Sequence, residues 1–241
     1  MHSIINLVDT GFIGFMSQEA MRSPRFLHVV ETVVNMYLFK GVGLIALLWW
    51  IWFRRDNAED PEAEAVRRRQ REIVVIAIAS GFLALAAGRL GAHYLPFRLR
   101  PMYEPALRAF FPQAMVEEPV LRTWSAFPSD HVMLWSAVAT GILLASRPWG
   151  IYALFHAIVL IGLPRICLGL HYPTDVLGGA ALGVGITCAM NASAIRTHIA
   201  APMLAFALRY PGVFYSVAFL LSFELTTQFD ELRVLAHGLL H

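Results

Sequence analysis

The sequence predicts an all-α, polytopic membrane protein with six transmembrane helices, and both its composition and its hydropathy pattern support this class. Of the 241 residues, 57% are hydrophobic, 15% are charged, and the mean hydropathy is +0.57. A soluble domain carries about a quarter charged residues. The charges cluster between long apolar stretches. Because a backbone in lipid must satisfy its own hydrogen bonds, each apolar stretch is expected to be a helix.

Six stretches are long enough to span or nearly span a bilayer. The third and fourth are short, so one or both are expected to begin inside the protein rather than at the lipid surface. The sequence contains no repeat and no soluble second domain, so residues 1–241 are predicted to form a single membrane domain. The predicted spans are 27–53, 73–95, 131–147, 150–168, 175–195 and 212–228.

The N-terminal segment 1–25 is predicted to be an amphipathic helix on the membrane surface and not a seventh span. Its apolar sequence is interrupted by Asp9, Gly11, Gly14 and Gln18. Such interruptions weaken a spanning segment but suit a helix that lies in the interface.

The orientation follows from the loop between the first two spans, which carries six arginines between residues 54 and 71. The positive-inside rule assigns this loop to the cytoplasm. With six spans, the loops at 96–130 and 168–175 then share the outer face. The 96–130 loop is predicted to be partly helical and to carry part of a functional site. The net charge of only +2 gives no indication of nucleic acid binding.

The first polar cluster follows the second span and contains Arg98 and Arg100. Arg89 and His93 lie four residues apart on the preceding helix, so they share one of its faces. Arginines in such a position also commonly extend toward lipid headgroups without any catalytic role. The cluster alone therefore leaves both interpretations open.

The second polar cluster is the sequence Pro128-Ser129-Asp130-His131 at the start of the third span. Ser129 is a predicted N-cap, and the Asp130 carboxylate suits the first turn of a helix. Free backbone N–H groups at such an end also favour an anion. Capping does not explain His131, because a histidine that enters a span requires a polar partner.

The third polar cluster contains Arg165, His171 and Asp175. His171 and Asp175 are four residues apart across a predicted helix start, so the carboxylate is expected to accept a hydrogen bond from one imidazole nitrogen. That bond would fix the tautomer and leave the other nitrogen free. The alternative is a capped helix with an incidental histidine.

Together the clusters supply arginines, two histidines, a helix N-terminus and an orienting carboxylate, which is a set that suits a phosphate group. The sequence has no Cys/His set with zinc spacing and no carboxylate pair that indicates a two-metal site. Phosphoryl transfer through a histidine, without a metal or another cofactor, is therefore the predicted chemistry.

The order and spacing of these residues resemble the type 2 phosphatidic acid phosphatase superfamily, which also includes vanadium haloperoxidases and acid phosphatases. The motifs of that family are K-x6-R-P, P-S-G-H and S-R-x5-H-x3-D. The corresponding residues here begin at His93 for the first motif, at Pro128 for the second and at Pro164 for the third. The motifs therefore extend over residues 93–175.

The resemblance implies a role for each matching residue. His171 would attack phosphorus and become phosphohistidine, and Asp175 would orient it and stabilise its charge. His131 would protonate the leaving group and then activate water. The phosphate oxygens would be held by Arg100, Arg165 and Ser129.

Three positions depart from the family motifs. His93 replaces the motif lysine, so Arg98 or Arg89 would have to supply the missing cation. Asp130 replaces the glycine of the second motif, a variant that is similar to some bacterial undecaprenyl diphosphate phosphatases. The Asp130 carboxylate is expected either to interact favourably with the helix dipole or to adapt the phosphate site to diphosphates. Pro164 replaces the serine before Arg165 and removes a hydroxyl.

The resemblance implies a lipid phosphatase on the outer face of a bacterial inner membrane, with undecaprenyl diphosphate as the favoured substrate. Phosphatidylglycerophosphate, phosphatidate and lipid A phosphate are alternative substrates, and lipid-to-lipid phosphotransfer is an alternative reaction. From a different class, the chain would be an anionic-lipid transporter or an inactive lipid-binding protein. A soluble haloperoxidase would leave the six apolar stretches unexplained.

Overall fold

The structure is a computed structural model that describes residues 2–19, 23–54, 61–111 and 119–230. All regular elements in these ranges are helical, which confirms the predicted all-α class, and none of the described residues forms a strand. The helices of five or more residues are α1 (His2–Glu19), α2 (Pro24–Asn35), α3 (Gly43–Phe53), α4 (Pro61–Tyr94), α5 (Pro119–Thr123), α6 (Asp130–Ala145), α7 (Arg147–His156), α8 (Leu163–Cys167), α9 (Pro173–Met190), α10 (Ser193–Arg209) and α11 (Pro211–Thr227).

Two short π-helical segments join neighbouring helices, Leu38–Val42 before α3 and Ala157–Gly162 between α7 and α8. The outer loop contains the short 3-10 turns Pro101–Tyr103 and Arg108–Phe110 and the helix α5. This agrees with a loop that is only partly helical.

Helix α6 lies at the centre of the bundle. Every residue from Val132 to Ile142 is buried, and α6 packs against α4, α9 and α7. A helix that is buried on all sides needs small or apolar residues around its whole circumference, which explains why Ser136 and Thr140 are the only polar residues between His131 and Ala145. The position of α6 matters for function because its first turn carries the second polar cluster.

Glycines allow α9 to approach the backbone of α6 closely. A Cβ atom on Gly183 would lie 2.2 Å from the carbonyl oxygen of Met133, and one on Gly179 would lie 2.6 Å from that of Ser129. A backbone carbonyl cannot rotate away as a flexible side chain does. The close contact therefore depends on glycine at both positions, and it brings the start of α9 next to Ser129.

Among the described residues, three helices are long and apolar enough to cross a membrane, namely Pro61–Tyr94, Arg147–Cys167 and Pro173–Met190. Residues Arg25–Asn35 and Leu38–Phe53 form a fourth candidate if they are taken as one span, although they are bent by 61° at their junction. Helix α6, at the third predicted span, has 16 residues. The protein is thus an integral membrane protein, and the described part of its chain has three to four membrane-capable helices.

The predicted span 175–195 does not continue to its expected end. Helix α9 ends at Met190 and a separate helix, α10, begins at Ser193, because Ala192 has an extended backbone with ψ 137°. Arg196 at the start of α10 pairs with Glu72 near the N-terminal end of α4, with Nε 3.3 Å from Oε2. Polar residues interrupt the apolar pattern in this region, so α10 was not predicted from the sequence.

Helix α1, in the segment predicted to be interfacial, is amphipathic but also docks on the protein. Leu7 and Phe15 are each 71% exposed, whereas Asp9 and Ile13 are each 1% exposed. The buried face packs against α8 and α9. One side of α1 therefore belongs to the protein interior.

The close packing of α6 and α9 predicts different effects for two neighbouring glycines. Gly183→Ala is expected to lower the melting temperature in detergent, since overpacking costs about 1–3 kcal/mol and each kcal/mol corresponds to about 2–4 °C for a chain of this size. Gly185→Ala is the matched control, because a Cβ there meets nothing within 4 Å and alanine favours a helix. Equal melting temperatures for the two variants would contradict the described packing.

Candidate active site

The three polar clusters predicted from the sequence meet at one end of the bundle. The Ser129 backbone N–H donates to the carbonyl oxygen of Asp175 over 3.2 Å, which joins the second cluster to the third. The Arg98 guanidinium donates to the Asp175 carboxylate over 2.5 Å, which joins the first cluster to the third. Segments that are distant in sequence therefore form one site.

His171 lies in the turn between α8 and α9, and the backbone of Arg165 holds it in place. The N–H groups of Leu170 and His171 donate to the Arg165 carbonyl over 2.9 and 3.3 Å. The turn requires Gly169, whose φ is +67°, a conformation that glycine adopts without strain. The spacing between Arg165 and His171 thus reflects a tight turn that places both side chains at one site.

The imidazole of His171 is oriented by a backbone carbonyl. Its Nδ1 lies 2.7 Å from the oxygen of Ala126. Because a carbonyl oxygen only accepts, Nδ1 carries the proton and Nε2 keeps its lone pair. Burial, together with the positive charge of Arg100, lowers the pKa of His171 to about 3. His171 is therefore neutral at physiological pH, which a nucleophile requires.

The expected hydrogen bond between His171 and Asp175 is not formed, so that prediction was wrong. One oxygen of Asp175 accepts from the Tyr172 N–H over 2.7 Å, and the other accepts from Arg98. Asp175 is the third residue of α9, and a carboxylate at that position readily reaches back to the preceding N–H in a capping box. The carbonyl of Ala126 takes the place that was predicted for Asp175.

His131 has a carboxylate partner in the adjacent residue. Oδ1 of Asp130 accepts from the His131 backbone N–H over 2.8 Å and lies 2.9 Å from His131 Nδ1. This contact fixes the ring so that Nε2 is the nitrogen left for a substrate. The residue that replaces the glycine of the second motif thus orients the predicted acid.

Ser129 occupies the predicted N-cap position of α6 but does not act as a cap. Its side chain makes no capping hydrogen bond, and its Oγ is buried without a partner among the described residues. The carboxylate of Asp130 satisfies the nearby His131 N–H instead. The hydroxyl of Ser129 is therefore left available to an anion at this end of α6.

Arg100 and Arg165 are both buried, with 6% and 3% of their surface exposed. Nη1 of Arg100 donates to the Leu170 carbonyl over 2.9 Å, and Nη1 of Arg165 donates to that of Ile161 over the same distance. Nε of Arg100 has no partner among the described residues. Burial lowers the pKa of Arg100, and the Asp130 carboxylate opposes this shift. Each guanidinium is thus held in place by a backbone carbonyl, and Arg100 keeps a buried N–H without a partner among the described residues.

Arg98 is placed differently from a phosphate ligand. Its guanidinium pairs with Asp9 and Asp175, donates to Thr174 Oγ1 over 2.8 Å and lies 3.9 Å from the centre of the Tyr172 ring. Burial lowers the pKa of Arg98, but the two carboxylates outweigh burial and raise it. Arg98 is therefore a fixed cation between two carboxylates.

The other two residues considered for the missing lysine, His93 and Arg89, contact Tyr94 and Gln228. His93 is exposed at the end of α4, with its ring 4.8 Å from that of Tyr94. Arg89 donates to the carbonyl of Gln228 over 2.7 Å.

Asp9 and the backbone of Ala126 are parts of the site that sequence reasoning missed. Asp9 is the only acidic residue among the first 18, and an acid inside an apolar segment is a signal for a buried partner. The carbonyl of Ala126 has no such signal, because every residue type has one.

The arrangement suits an oxyanion. Buried polar groups without partners are rare in folded proteins, yet Arg100 Nε and Ser129 Oγ both lack one among the described residues. The charges of Arg100 and His131 both act on His171, so these groups lie close together. No group of three or more metal-ligating side chains occurs in the described part of the chain.

Phosphate binding to this site predicts a measurable stabilisation. Inorganic phosphate should raise the melting temperature in detergent, because a ligand at one hundred times its Kd adds about 2.7 kcal/mol. Ser129→Ala should leave the phosphate-free protein equally stable or more stable, since Ser129 Oγ has no partner to lose, and should reduce the shift. Ser80→Ala is the control, because Ser80 is also a buried serine with an unpartnered hydroxyl but lies on α4. An unchanged shift in Ser129→Ala would contradict this assignment.

Comparisons with known proteins agree with the site. The profile of the PAP2 superfamily matches residues 73–197, about half of the chain. The bacitracin transport permease protein BcrC of Bacillus licheniformis is 30% identical over 205 residues, which cover 85% of this chain and 84% of that protein.

Two further relatives carry names that state an activity. An undecaprenyl-diphosphatase of Sulfolobus acidocaldarius is 31% identical over 121 residues, 50% of this chain and 54% of that protein. The putative undecaprenyl-diphosphatase YbjG of Escherichia coli is 28% identical over 150 residues, 61% of this chain and 63% of that protein. No solved structure matches the chain.

The predicted family and the predicted enzyme class are both confirmed. The match of the family profile includes all three motifs, from His93 to Asp175, and with them His131 and His171. The chain belongs to the PAP2 superfamily and is a phosphatase that acts on lipid phosphates.

Proposed function

We propose that the protein hydrolyses a lipid phosphate or diphosphate without a metal ion, through a phosphohistidine formed on His171. The observation that carries this proposal is the state of His171, a buried neutral imidazole with a free Nε2. Arg100, which donates to the carbonyl of Leu170 next to His171, and Ser129 each have a buried polar atom, Nε and Oγ, without a partner among the described residues.

The first step of the proposed reaction transfers the phosphoryl group to the enzyme. Nε2 of His171 attacks phosphorus, and the bond from phosphorus to the leaving oxygen breaks. His131 gives a proton to that oxygen as general acid. Guanidinium groups of Arg100 and Arg165 and the hydroxyl of Ser129 stabilise the charge on the phosphoryl oxygens.

The second step releases inorganic phosphate. His131, now neutral, takes a proton from a water molecule, and the water oxygen attacks phosphorus as the bond to His171 breaks. Asp130 stabilises the imidazolium form of His131 in each step through its contact with Nδ1. The two steps restore both histidines to their starting protonation.

Undecaprenyl diphosphate is the favoured substrate. Two relatives are named undecaprenyl-diphosphatases, and the Asp130 variant of the second motif is similar to enzymes of that kind. Other lipid phosphates, namely phosphatidylglycerophosphate, phosphatidate and lipid A phosphate, are outcomes that the same assay distinguishes. Transfer of the phosphoryl group to a second lipid would give no free phosphate.

Transport of an anionic lipid is the second candidate function, because the Bacillus licheniformis relative is named a transport permease. A transporter needs cationic groups along its path. It has no need for a neutral histidine oriented by the carbonyl of Ala126. Hydrolysis therefore explains both the cationic groups and the oriented histidine, whereas transport explains only the cationic groups.

Six membrane crossings with the site outside are part of the proposal. Trp52 Nε1 at the end of α3 donates to Tyr215 near the start of α11 over 3.0 Å. Arg89 near the end of α4 contacts Gln228 at the end of α11. These contacts support α11 as a crossing that returns to the site end. The arginine-rich loop before α4 supports a cytoplasmic opposite end, and the bacterial relatives support the inner membrane.

Replacement of His171 tests the proposed nucleophile. His171→Gln should abolish phosphate release from lipid phosphates in detergent, because the side chain can no longer form the intermediate. His198→Gln, on an exposed face of α10, is the control and should retain activity. A metal chelator should leave the wild type unaffected. Activity in His171→Gln, or its loss by chelation alone, would refute this mechanism.

Replacement of Asp130 tests the proposed role of its carboxylate. Asp130→Asn should lower kcat for phosphatidate about tenfold to a hundredfold, since a hydrogen bond to a charged group contributes about 1.5–3 kcal/mol. The loss should be smaller for a prenyl diphosphate, because its phosphate leaving group needs less protonation than an alcohol. An equal loss for both substrates would argue against a role of Asp130 through His131.

A further inference from the structure

We propose that Asp9 is a positioning residue of the active site and that α1 therefore forms one wall of it. This inference rests on the proposed function and extends it to a residue outside the three motifs. Asp9 is 1% exposed although it lies on a helix that turns Leu7 and Phe15 outward.

All the hydrogen bonds of the Asp9 carboxylate go to the first motif and to the start of α9. Oδ1 accepts from the Thr174 backbone N–H over 3.0 Å, and Oδ2 accepts from the Thr174 hydroxyl over 2.7 Å. Oδ2 also accepts from Nη2 of Arg98. A buried carboxylate is tolerated only when it is paired and hydrogen-bonded, so these contacts determine how α1 docks.

Thr174 is the second residue of α9, and its N–H is one of the free donors at the helix start. Tyr172 precedes α9 and supplies no side-chain cap of the usual kind. Asp9 satisfies the Thr174 donor from a different helix and brings a negative charge to the positive end of the α9 dipole. The first turn of α9 is thereby tied to α1.

Arg98 connects Asp9 to the catalytic histidine by two routes. Through its side chain it holds Asp175, whose carboxylate binds the N–H of Tyr172, next to His171. Through its backbone carbonyl it accepts from the Ala126 N–H over 2.8 Å, and the carbonyl of Ala126 orients His171. A shift of Arg98 would therefore move both supports of the imidazole.

Apolar contacts also attach α1 to the segments that carry the two histidines. Ile13, one turn after Asp9, belongs to a buried cluster with Ala126, Val132 and Tyr172. Val132 follows His131 and Tyr172 follows His171 in the sequence. The inner face of α1 thus packs on the segments that carry both histidines, with Asp9 as its buried charge.

The shared guanidinium makes a specific prediction for paired variants. With asparagine at position 9, Arg98 keeps only one carboxylate, and one side-chain oxygen remains where two oxygens accepted from Thr174 and Arg98. Without Arg98, two buried carboxylates remain close together without the cation between them, which is worse than losing one carboxylate. Asp9→Asn should therefore be harmful alone but beneficial when Arg98 is replaced by alanine.

The experiment measures kcat and KM for a lipid phosphate with purified wild type, Asp9→Asn, Arg98→Ala and the double variant. Asp9→Asn should lower kcat on the order of tenfold and change KM less than about twofold, since Asp9 does not touch the substrate. The double variant should be more active than Arg98→Ala. Glu31→Gln removes a carboxylate from α2, the next helix, and should match the wild type.

A second measurement does not depend on activity or purification. In membranes, a cysteine introduced by Ile13→Cys, with Cys188→Ala in the background because Cys188 is an exposed free thiol, should be protected from maleimide. Adding Asp9→Asn should make that cysteine reactive. Equal protection with and without Asp9→Asn would overturn the proposed docking of α1.

The outcomes separate this inference from the proposed function. If the wild type releases phosphate and Asp9→Asn has the same kcat, the positioning role fails and the phosphatase mechanism stands. A double variant that is less active than Arg98→Ala would also overturn the positioning role. If the wild type releases no phosphate from any lipid tested, the proposed function fails, and the labelling result alone decides whether Asp9 docks α1.

Discussion

The ion pairs of Arg98 with Asp9 and Asp175 are the interaction on which the rest of the site depends. Charges in a poorly solvated region must be paired, because the cost of removing a lone charge from water exceeds what packing returns. Arg98 meets this requirement for two carboxylates on different helices, α1 and α9. Its backbone also binds the segment before α6, so one residue links the parts that hold both histidines.

The charged groups of the site divide into two kinds. Arg98, Asp9 and Asp175 satisfy one another and form a rigid frame. Arg100 and Ser129 retain unpartnered polar atoms among the described residues, and these atoms suit an oxyanion that forms or shifts charge during the reaction. The Asp130–His131 contact has features of both kinds. It is a satisfied polar pair, but the imidazole that it orients must also exchange a proton in the proposed reaction. This division explains why arginines close in sequence serve different purposes.

Apolar segment lengths were sufficient to predict the all-α class and most helix positions, since only a helix satisfies its own backbone inside lipid. The spacing of the third motif corresponds to a local turn, in which the His171 N–H donates to the Arg165 carbonyl. The sequence did not indicate that Ala126 orients His171, since a backbone carbonyl has no residue-type signal. The contact of Asp130 with the next residue depends on its side-chain rotamer, which spacing does not specify. The docking of α1 depends on tertiary packing around Asp9.

A covalent phosphoryl group on His171 is the central claim, and trapping that intermediate tests it most directly. Wild-type protein would be mixed with a radiolabelled lipid phosphate, quenched in alkali within milliseconds and digested for peptide mapping. The mechanism predicts a label that is stable to base and labile to acid, on the peptide that contains His171. Turnover without any trapped label, or a label on another residue, would contradict the mechanism.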